Sequence, residues 1–242
     1  MRFFVTGATG FLGRYVINEL IQLNHNVIAI YRKNISVQDK DKNKNIKWIK
    51  RNILQIDKND LDNVDVLINL ASAGVSPKKA TLEEAINVNI LGACRLLEVG
   101  KVAGVKRYVY AGTCHEYGGA ANKFDKIPPE APLEPLNFYG ATKASGFHLI
   151  NNISKELDIE LVYARIFSAY GVGQNSQNFW PMLREAALSG KDFKMSSGKQ
   201  IRDFIGAEDV ARHLISSGLR KDIKKGLPLL INIGTGNAIT LE

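Results

Sequence analysis

Two residues of this 242-residue chain, Tyr139 and Lys143, have side chains that could exchange a proton with a bound ligand. They lie four positions apart in a segment whose apolar spacing predicts a helix over Phe138–Leu157, so both side chains share one helix face. A nearby ammonium group favours the phenolate and lowers the phenol pKa from its usual value of about 10. The pair predicts a general acid–base centre, and an ordinary surface Tyr/Lys pair is the alternative.

A second chemical signal opens the chain. An apolar strand predicted over Arg2–Thr6 leads into three glycines, Gly7, Gly10 and Gly13, and an amphipathic helix follows at once. Such glycines permit a tight turn and a close approach to a pyrophosphate, and the helix N-terminus attracts phosphate oxygens. This arrangement predicts a dinucleotide site rather than a plain turn. The residues expected to line it are Gly7, Thr9, Gly10, Phe11 and Leu12.

The end of the second predicted strand bears on which dinucleotide binds. NAD sites usually place Asp or Glu there, because a carboxylate accepts hydrogen bonds from the ribose hydroxyls. This strand, Asn26–Tyr31, ends without an acid and is followed by Arg32 and Lys33. A guanidinium can pair with the 2′-phosphate of NADP, which a carboxylate would repel. The sequence predicts NADP with Arg32 as a ligand; NAD is the alternative, and the two cations could instead only solvate a loop.

Six motifs, in this order along the chain, resemble those of the extended short-chain dehydrogenase/reductase family, whose members include nucleotide-sugar epimerases, dehydratases and ketoreductases. The motifs are Gly7–Gly13, Asn69–Ser72, Asn87–Asn89, Ala111–Gly118, Tyr139–Lys143 and Arg202–Ile205. The resemblance spans nearly the whole chain. It implies an NAD(P)-dependent oxidoreductase or epimerase that acts on a nucleotide-linked sugar.

The resemblance also implies roles for individual residues. Thr113 matches the family's hydroxyl residue that hydrogen-bonds the reacting oxygen, which makes the predicted catalytic set Thr113, Tyr139 and Lys143. The other predicted cofactor contacts are Asn52, Ile53, Leu70, Ala71, Ser72 and Asn89, in addition to Tyr139 and Lys143. The predicted substrate contacts are Thr113, His115, Asn178 and Arg202. Two alternatives stay open: Arg202 could pair with Asp203 or Glu208, and His115 could act as a proton relay or be a solvated loop residue.

The residues after Thr113 separate the reactions of the family. Dehydratases carry Asp-Glu there as the acid and base for water loss, and this chain has Cys114-His115. Dehydration is therefore not expected. The cations after the second strand favour a reductase of a 4-keto-6-deoxy nucleotide sugar, in which hydride comes from the nicotinamide and the proton from Tyr139. A 4-epimerase with tightly bound NAD is the alternative, and a non-catalytic dinucleotide-binding sensor or scaffold is the alternative of another class.

Short apolar runs alternate with helical patterns along most of the chain, which predicts an α/β fold of the Rossmann type, a doubly wound parallel sheet. A smaller C-terminal substrate lobe is expected beside it. We assign residues 1–170 and the returning strand 228–233 to the dinucleotide-binding domain, and 171–227 with 234–242 to a partial substrate-binding lobe. The predicted strands are Arg2–Thr6, Asn26–Tyr31, Ile46–Lys50, Val64–Leu70, Lys106–Ala111, Ile159–Ile166 and Pro228–Ile233. The predicted helices are Phe11–Leu23, Leu82–Val102, Phe138–Leu157, Trp180–Ser189 and Glu208–Gly218.

Composition narrows the remaining classes. The two cysteines, Cys94 and Cys114, form neither a disulfide framework nor a metal-ligand cluster, which favours a reducing cytoplasm and no metal. The sequence shows no signal peptide and no run long enough for a membrane helix. The net charge of +8, part of it between Arg32 and Lys58, suits a phosphate-rich ligand. Nucleic acid is not expected, because that stretch holds mainly Trp48 and lacks the interleaved aromatic residues of a stacking platform. The resemblance implies a possible homodimer through helices 82–102 and 138–157.

Overall fold

The short apolar runs of the sequence form a seven-stranded, all-parallel sheet in the computed structural model, which describes residues 1–32 and 44–242. Its strand order is β3-β2-β1-β4-β5-β6-β9. These strands are β1 (Arg2–Thr6), β2 (Asn26–Tyr31), β3 (Ile46–Lys50), β4 (Val66–Asn69), β5 (Arg107–Thr113), β6 (Glu160–Ile166) and β9 (Leu229–Ile233). Of the basic stretch, Lys33, Lys40 and Lys42 lie outside the described residues. The predicted Rossmann-type α/β fold is confirmed.

The order of the strands reverses next to β1, and this fixes where a ligand can bind. β1 pairs in parallel with β2 on one side and with β4 on the other, so the chain winds away from β1 in both directions. The loops that leave the carboxyl ends of β1 and β4 diverge at this point and leave a crevice. The glycine loop after Thr6 and the segment after Asn69 border that crevice.

Helices cover both faces of the sheet. On one face, α1 (Phe11–Gln22) and α5 (Ala207–Leu219) bury Val16, Leu20, Val210 and Leu214 in one apolar cluster. On the other face, α2 consists of the consecutive segments Leu82–Ala85, Ile86–Gly92 and Ala93–Val102. It lies beside α3 (Phe138–Glu156) over a second apolar cluster. Strands buried between two such layers read as continuous apolar runs, which is why the sequence predicted them to within about two residues.

The middle segment of α2 is a π-helix, which the sequence did not predict. It runs over Ile86–Gly92 and includes the buried Asn89. A π-helical turn is rare and often lies at a functional site. Its wider turn lies against α3, where a Cβ added at Gly146 would come within 2.4 Å of the Asn89 carbonyl oxygen. The two helix backbones are therefore in direct contact at this point.

A small second sheet stands beyond the carboxyl end of β6. It has the strand order β10-β8-β7 and comprises β7 (Ser168–Tyr170), β8 (Ile201–Gly206) and β10 (Ala238–Thr240). The sequence missed all three strands because two of them are only three residues long and the apolar pattern of β8 is interrupted by Arg202 and Asp203. The helix α4 (Phe179–Ser189) lies between β7 and β8 in the chain and buries none of its residues. Within the described residues, no helix is long and apolar enough to cross a membrane.

Candidate active site

The glycine loop after β1 approaches the end of β4 so closely that Gly7 cannot carry a side chain. Gly7 has φ +65°, and a Cβ there would lie 2.7 Å from the Leu70 carbonyl carbon. A Cβ at Gly13 would lie 2.2 Å from the Gly7 carbonyl oxygen. Glycine removes both collisions and allows the left-handed backbone. The loop therefore lies directly against Leu70 and Ala71, two residues that the sequence predicts as cofactor contacts.

The N-terminus of α1 faces the same crevice and is uncapped. Gly10 precedes the helix and no side chain accepts a hydrogen bond from its first turn. Thr9 and Gly10 are exposed, and Phe11 and Leu12 are half-buried. The first N–H groups of a helix have no intrahelical partner, and they carry the positive end of the helix dipole. This cradle fits the pyrophosphate of a nicotinamide dinucleotide.

Cations gather at the carboxyl ends of β2 and β3. Arg32 is exposed directly after Tyr31, and Tyr31 pairs in register with Lys50. Arg51 bonds Asp60 through Nε at 3.1 Å but stays 41% exposed. An exposed guanidinium keeps donors free for a ligand. The predicted ligand Arg32 thus lies at an edge with two more cations, and its neighbour Lys33 lies outside the described residues.

Asn52 and Ile53, predicted to lie beside the adenine, form a structured corner after β3. The Asn52 side-chain oxygen accepts a hydrogen bond from the Leu54 N–H at 3.2 Å and caps a short 3₁₀ turn. Ile53 is buried against the π segment of α2. The side-chain Nδ2 of Asn52 makes no hydrogen bond to another described residue, so it is the group that could reach a base.

Tyr139 and Lys143 lie on the first two turns of α3. Asn137 caps this helix, and its Oδ1 accepts the Gly140 N–H at 2.8 Å. The Ser72 hydroxyl lies 3.5 Å from the Tyr139 hydroxyl. The Lys143 ammonium is buried and donates to the Ala111 carbonyl oxygen at 2.8 Å. The phenol therefore opens onto the loop after β4, and the ammonium lies behind the end of β5.

The environment of this pair shifts both acidities. Burial raises the pKa of Tyr139 to about 12; the Ser72 and Thr113 hydroxyls oppose the rise, and the Glu116 carboxylate adds to it. Burial lowers the pKa of Lys143, and Glu116 acts in the opposite direction. The sequence led us to expect a lowered phenol pKa, and without a cofactor its direction is upward. Desolvation of the phenolate outweighs the hydrogen bonds that lower its pKa.

Thr113 ends β5 and begins a short 3₁₀ turn, where Glu116 fixes it. The Glu116 carboxylate is fully buried and accepts the Thr113 N–H at 2.8 Å. The same carboxylate accepts the Tyr163 hydroxyl at 2.9 Å and the Arg165 Nε at 2.7 Å. Arg165, which is 1% exposed, also donates to the Pro129 carbonyl oxygen at 2.8 Å. A buried ion pair therefore holds the predicted polarising hydroxyl in place.

Both polar atoms of the Asn89 side chain make hydrogen bonds within the protein. Its Oδ1 accepts the Ala73 N–H at 2.9 Å, and its Nδ2 donates to the Ala73 carbonyl and the Thr142 hydroxyl at 3.0 Å each. The Ser72 hydroxyl also lies 3.3 Å from Oδ1. Asn89 thus ties the loop after β4 to α3, which suits a residue that steadies the site through its side chain.

Of the predicted substrate residues, His115 lies beside the phenol. The His115 ring stands edge-on to the Tyr139 ring at 6.0 Å between centroids. Burial raises the pKa of Cys114, and the exposed Arg202 opposes that rise. Burial lowers the pKa of His115, and Arg202 lowers it further. Asp203 does not pair with Arg202; it accepts hydrogen bonds from the turn at Thr235.

Two of these observations bear on substrate binding. Arg202 makes no ion pair with another described residue, so its guanidinium can serve an anionic ligand. Asn178 begins α4 without capping it through its side chain. A cavity of about 680 Å³ borders α4 near Trp180 and Phe193, but no predicted site residue lines it.

Two residues of the site, Glu116 and Asn137, escaped sequence reasoning. Ser72, predicted as a cofactor contact, has its hydroxyl 3.5 Å from the phenol oxygen of Tyr139. Two local signals pointed to Glu116 and Asn137. Thr113 and Glu116 have the spacing of a capping box, and Asn137 directly precedes a predicted helix as an N-cap residue does.

Comparisons with known proteins agree with this geometry. A model of the NAD-dependent epimerase/dehydratase family matches residues 3–234. The chain belongs to this family. It is 31% identical over 226 residues to the uncharacterized UDP-glucose epimerase YtcB of Bacillus subtilis, which covers 88% of this chain and 71% of YtcB. It is 25% identical to a UDP-glucose 4-epimerase of Mycolicibacterium smegmatis, which covers 98% and 78% of the two chains.

Solved structures of similar proteins contain the ligands that the crevice would fit. MoeE5 in complex with UDP-glucuronic acid and NAD is 29% identical, with a TM-score of 0.86 over 100% of this chain and 79% of MoeE5. The UDP-glucuronic acid 4-epimerase of Bacillus cereus, in complex with UDP-glucuronic acid and NAD, is 26% identical, with a TM-score of 0.85 over 100% and 80%. The predicted membership of an NAD(P)-dependent family acting on nucleotide sugars is confirmed.

Proposed function

We propose that this family member is a nucleotide-sugar 4-epimerase that uses NAD. The observation that carries the proposal is the Tyr139 phenol, which lies 3.5 Å from the Ser72 hydroxyl and one helical turn before the buried Lys143. Epimerases prevail among the similar proteins, which moves the proposal from the reductase that the sequence favoured to its alternative. The Cys114-His115 pair adds to it, because it supplies no carboxylate for water loss.

The cofactor would lie across the crevice between β1 and β4. The N-terminus of α1 would bind its pyrophosphate, and Leu70, Ala71 and Ser72 would line its path toward Tyr139. When bound, the nicotinamide supplies reversible hydride transfer. Lys143 would hold the ribose through ammonium donors that the Ala111 carbonyl leaves unused.

Tyr139 would take the proton of the sugar 4-hydroxyl while hydride leaves C4, and it would later return that proton to the same oxygen as hydride returns to the opposite face of C4. Taking the proton requires the phenolate, which the buried Lys143 ammonium and a bound cationic ring would both stabilise. Thr113 would hydrogen-bond the reacting oxygen, because Glu116 fixes its backbone at the end of β5. Arg202 and Asn178 would bind the nucleotide diphosphate.

The direct test is to incubate the NAD-loaded protein with UDP-glucose and follow the C4 epimer together with absorbance at 340 nm. We expect the epimer to form without a net change in NADH. A Tyr139→Phe variant should bind NAD normally and lose at least about 100-fold in rate, the usual contribution of a positioned acid–base group. NAD binding without turnover of any nucleotide sugar would favour a sensor or scaffold.

The NADP-dependent reductase remains a second candidate, because a specific feature supports it. Arg32, Lys50 and Arg51 meet at the carboxyl ends of β2 and β3, where NAD sites usually place an acid. If these cations bind the 2′-phosphate, NADPH should bind at least about tenfold more tightly than NADH, and Arg32→Ala should remove the difference. Net oxidation of NADPH by a 4-keto-6-deoxy nucleotide sugar would then replace the epimerase proposal.

The organisation around this site is also a proposal. We propose that residues 1–170 with 228–233 form the cofactor-binding domain, and that 171–227 with 234–242 contribute part of a substrate lobe. Three statements stay predictions: a cytoplasmic location, two copies joined through helices 82–102 and 138–157, and the absence of nucleic-acid binding.

Nucleic-acid binding is tested by measuring how strongly heparin retains the protein, whose net charge is +8, as the salt concentration rises.

A further inference from the structure

His115 and Asn137 form a hydrogen-bonded pair beside the phenol, and the direction of that bond can be determined. The Asn137 Oδ1 accepts the Gly140 N–H at 2.8 Å, and only an oxygen can accept there. The other arm of the amide is therefore its NH₂ group, which lies 3.2 Å from the Nδ1 of His115. An amide NH₂ group only donates, so Nδ1 must offer its lone pair.

The tautomer of His115 follows from this bond. A neutral imidazole carries one proton, and when Nδ1 accepts, that proton lies on Nε2. The helix start is held against the histidine, since a Cβ at Gly140 would lie 2.5 Å from the His115 carbonyl oxygen. Asn137 therefore cannot turn away from the ring without giving up the helix cap.

The other edge of the ring faces away from Asn137. His115 is exposed, and its Nε2 makes no hydrogen bond to any other residue that the structure describes. The titratable or charged groups near the ring are Tyr139 on α3, Arg202 on β8 and the adjoining Cys114. Partial burial and Arg202 lower the pKa of His115, which keeps the ring neutral at physiological pH.

We propose that Asn137 locks His115 as its Nε2–H tautomer, so that His115 donates a hydrogen bond to an oxygen of the substrate's sugar. Asn137 is then a positioning residue, and His115 is a specificity-determining donor beside the phenol. The donor role rests on the proposed function of this site. The tautomer does not, because it follows from contacts within the protein.

Asn137→Asp and Asn137→Ser are matched variants. Both side chains cap a helix as well as asparagine does, so α3 should keep its start. Asp places an acceptor-only oxygen against Nδ1 and should draw the proton to that nitrogen. Ser removes the partner without adding charge.

The tautomer is read by ¹H–¹⁵N NMR of the histidine rings in the full chain with NAD at pH 8.5, with His115 assigned through a His115→Phe variant. We expect Nε2–H in the wild type, Nδ1–H in Asn137→Asp, and a mixture of the two tautomers in Asn137→Ser, whose ring has lost its partner. Wild-type protein with the proton on Nδ1, or no reversal in Asn137→Asp, would overturn the proposal.

The donor role is read by calorimetric titration of UDP-glucose, with UDP as the probe for the nucleotide alone. At pH 8.5, Asn137→Asp should bind UDP-glucose about three- to tenfold more weakly than the wild type and bind UDP equally well. At pH 6 the ring of Asn137→Asp is doubly protonated and donates again through Nε2, so the difference in UDP-glucose affinity from the wild type should shrink. His115→Phe should bind UDP-glucose more weakly than the wild type at both pH values. An equal loss for UDP, or a loss independent of pH, would refute the donor role. A wild type that binds UDP-glucose no better than UDP would count against the proposed function, while the NMR result would still decide the tautomer.

Discussion

At the scale of single residues, a buried ion pair decides how the end of β5 is held. Glu116 and Arg165 are 0% and 1% exposed, and the carboxylate also anchors the Thr113 N–H and the Tyr163 hydroxyl. Removing one partner of such a pair leaves an uncompensated buried charge. The position of Thr113 therefore depends on a residue that contacts neither cofactor nor substrate in the proposed reaction.

Glu116→Gln should lower the free energy of unfolding by about 3–5 kcal/mol, because Arg165 would lose its counter-charge in the interior. The measurement is equilibrium unfolding in urea. Glu134→Gln is the control: Glu134 pairs with Lys123 at 2.7 Å with side chains 44% and 61% exposed, and its loss should change stability by less than about 1 kcal/mol. Equal losses in the two variants would contradict the buried role of Glu116.

The Tyr139 phenol should remain protonated far into the alkaline range when no cofactor is bound. Its pKa is raised to about 12, so the folded state holds this proton more tightly than the unfolded state, where the pKa is about 10. The stabilisation is complete below pH 10 and is lost as the pH rises through about 12. The ultraviolet difference titration between wild type and Tyr139→Phe should show this ionisation, and NAD should move it to lower pH.

The proposed catalytic residues could be predicted from the sequence, because helical spacing and the order of the motifs can be recognised without three-dimensional information. Tyr139 and Lys143 needed only a helix between them. The direction of the phenol pKa could not be predicted in this way, since it depends on burial and on Glu116, which reaches the site through the fold. Asn137 illustrates the same limit: its capping role is local, but its bond to His115 spans 22 residues.

At the scale of elements, the site depends on how closely α2 and α3 approach. Asn89, in the π segment of α2, bonds both the loop after β4 and Thr142 on α3. The sequence predicted one helix over Leu82–Val102 and could not predict its change of pitch, because the π segment is only seven residues long. β7 and β10 of the second sheet were missed because each is only three residues long.

Gly146→Ala should push these two helices apart, since the new Cβ would lie 2.4 Å from the Asn89 carbonyl oxygen. We expect a loss of about 1–3 kcal/mol in stability from overpacking, together with a fall in epimerase turnover as Tyr139 shifts. The control is Gly206→Ala, whose Cβ would meet only side-chain atoms, at 3.5 Å and beyond. An unchanged crystal position of Tyr139 with full turnover would contradict the account.

At the scale of the whole molecule, the sequence predicted the parallel sheet well, because strands buried on both faces must be apolar throughout. The association of two copies was predicted less directly, from the resemblance to the family. Apolar side chains are exposed on the two helices proposed to join two copies: Leu82, Leu91 and Val102 on α2, and Phe138 and Leu149 on α3. A contiguous apolar patch is typical of a protein interface, so the proposed assembly requires these side chains to form one.

Leu91→Glu combined with Leu149→Glu should therefore convert a dimer to a monomer, because the charges would have to be buried without partners. Sedimentation velocity of the wild type and the variant measures this, and the retained circular dichroism spectrum is the control for folding. Leu188→Glu on α4, which is 69% exposed and outside both helices, should leave the mass unchanged. A monomeric wild type at micromolar concentration would contradict the proposed assembly.

The central claim is that hydride leaves a sugar carbon and returns to it while Tyr139 moves the proton. The most direct measurement uses UDP-glucose carrying deuterium at C4, incubated with the NAD-loaded protein and analysed by mass spectrometry and NMR. The account predicts the C4 epimer with deuterium still at C4, formed by the wild type and not by Tyr139→Phe. Product that has exchanged its C4 label with solvent, or equal turnover by Tyr139→Phe, would contradict it.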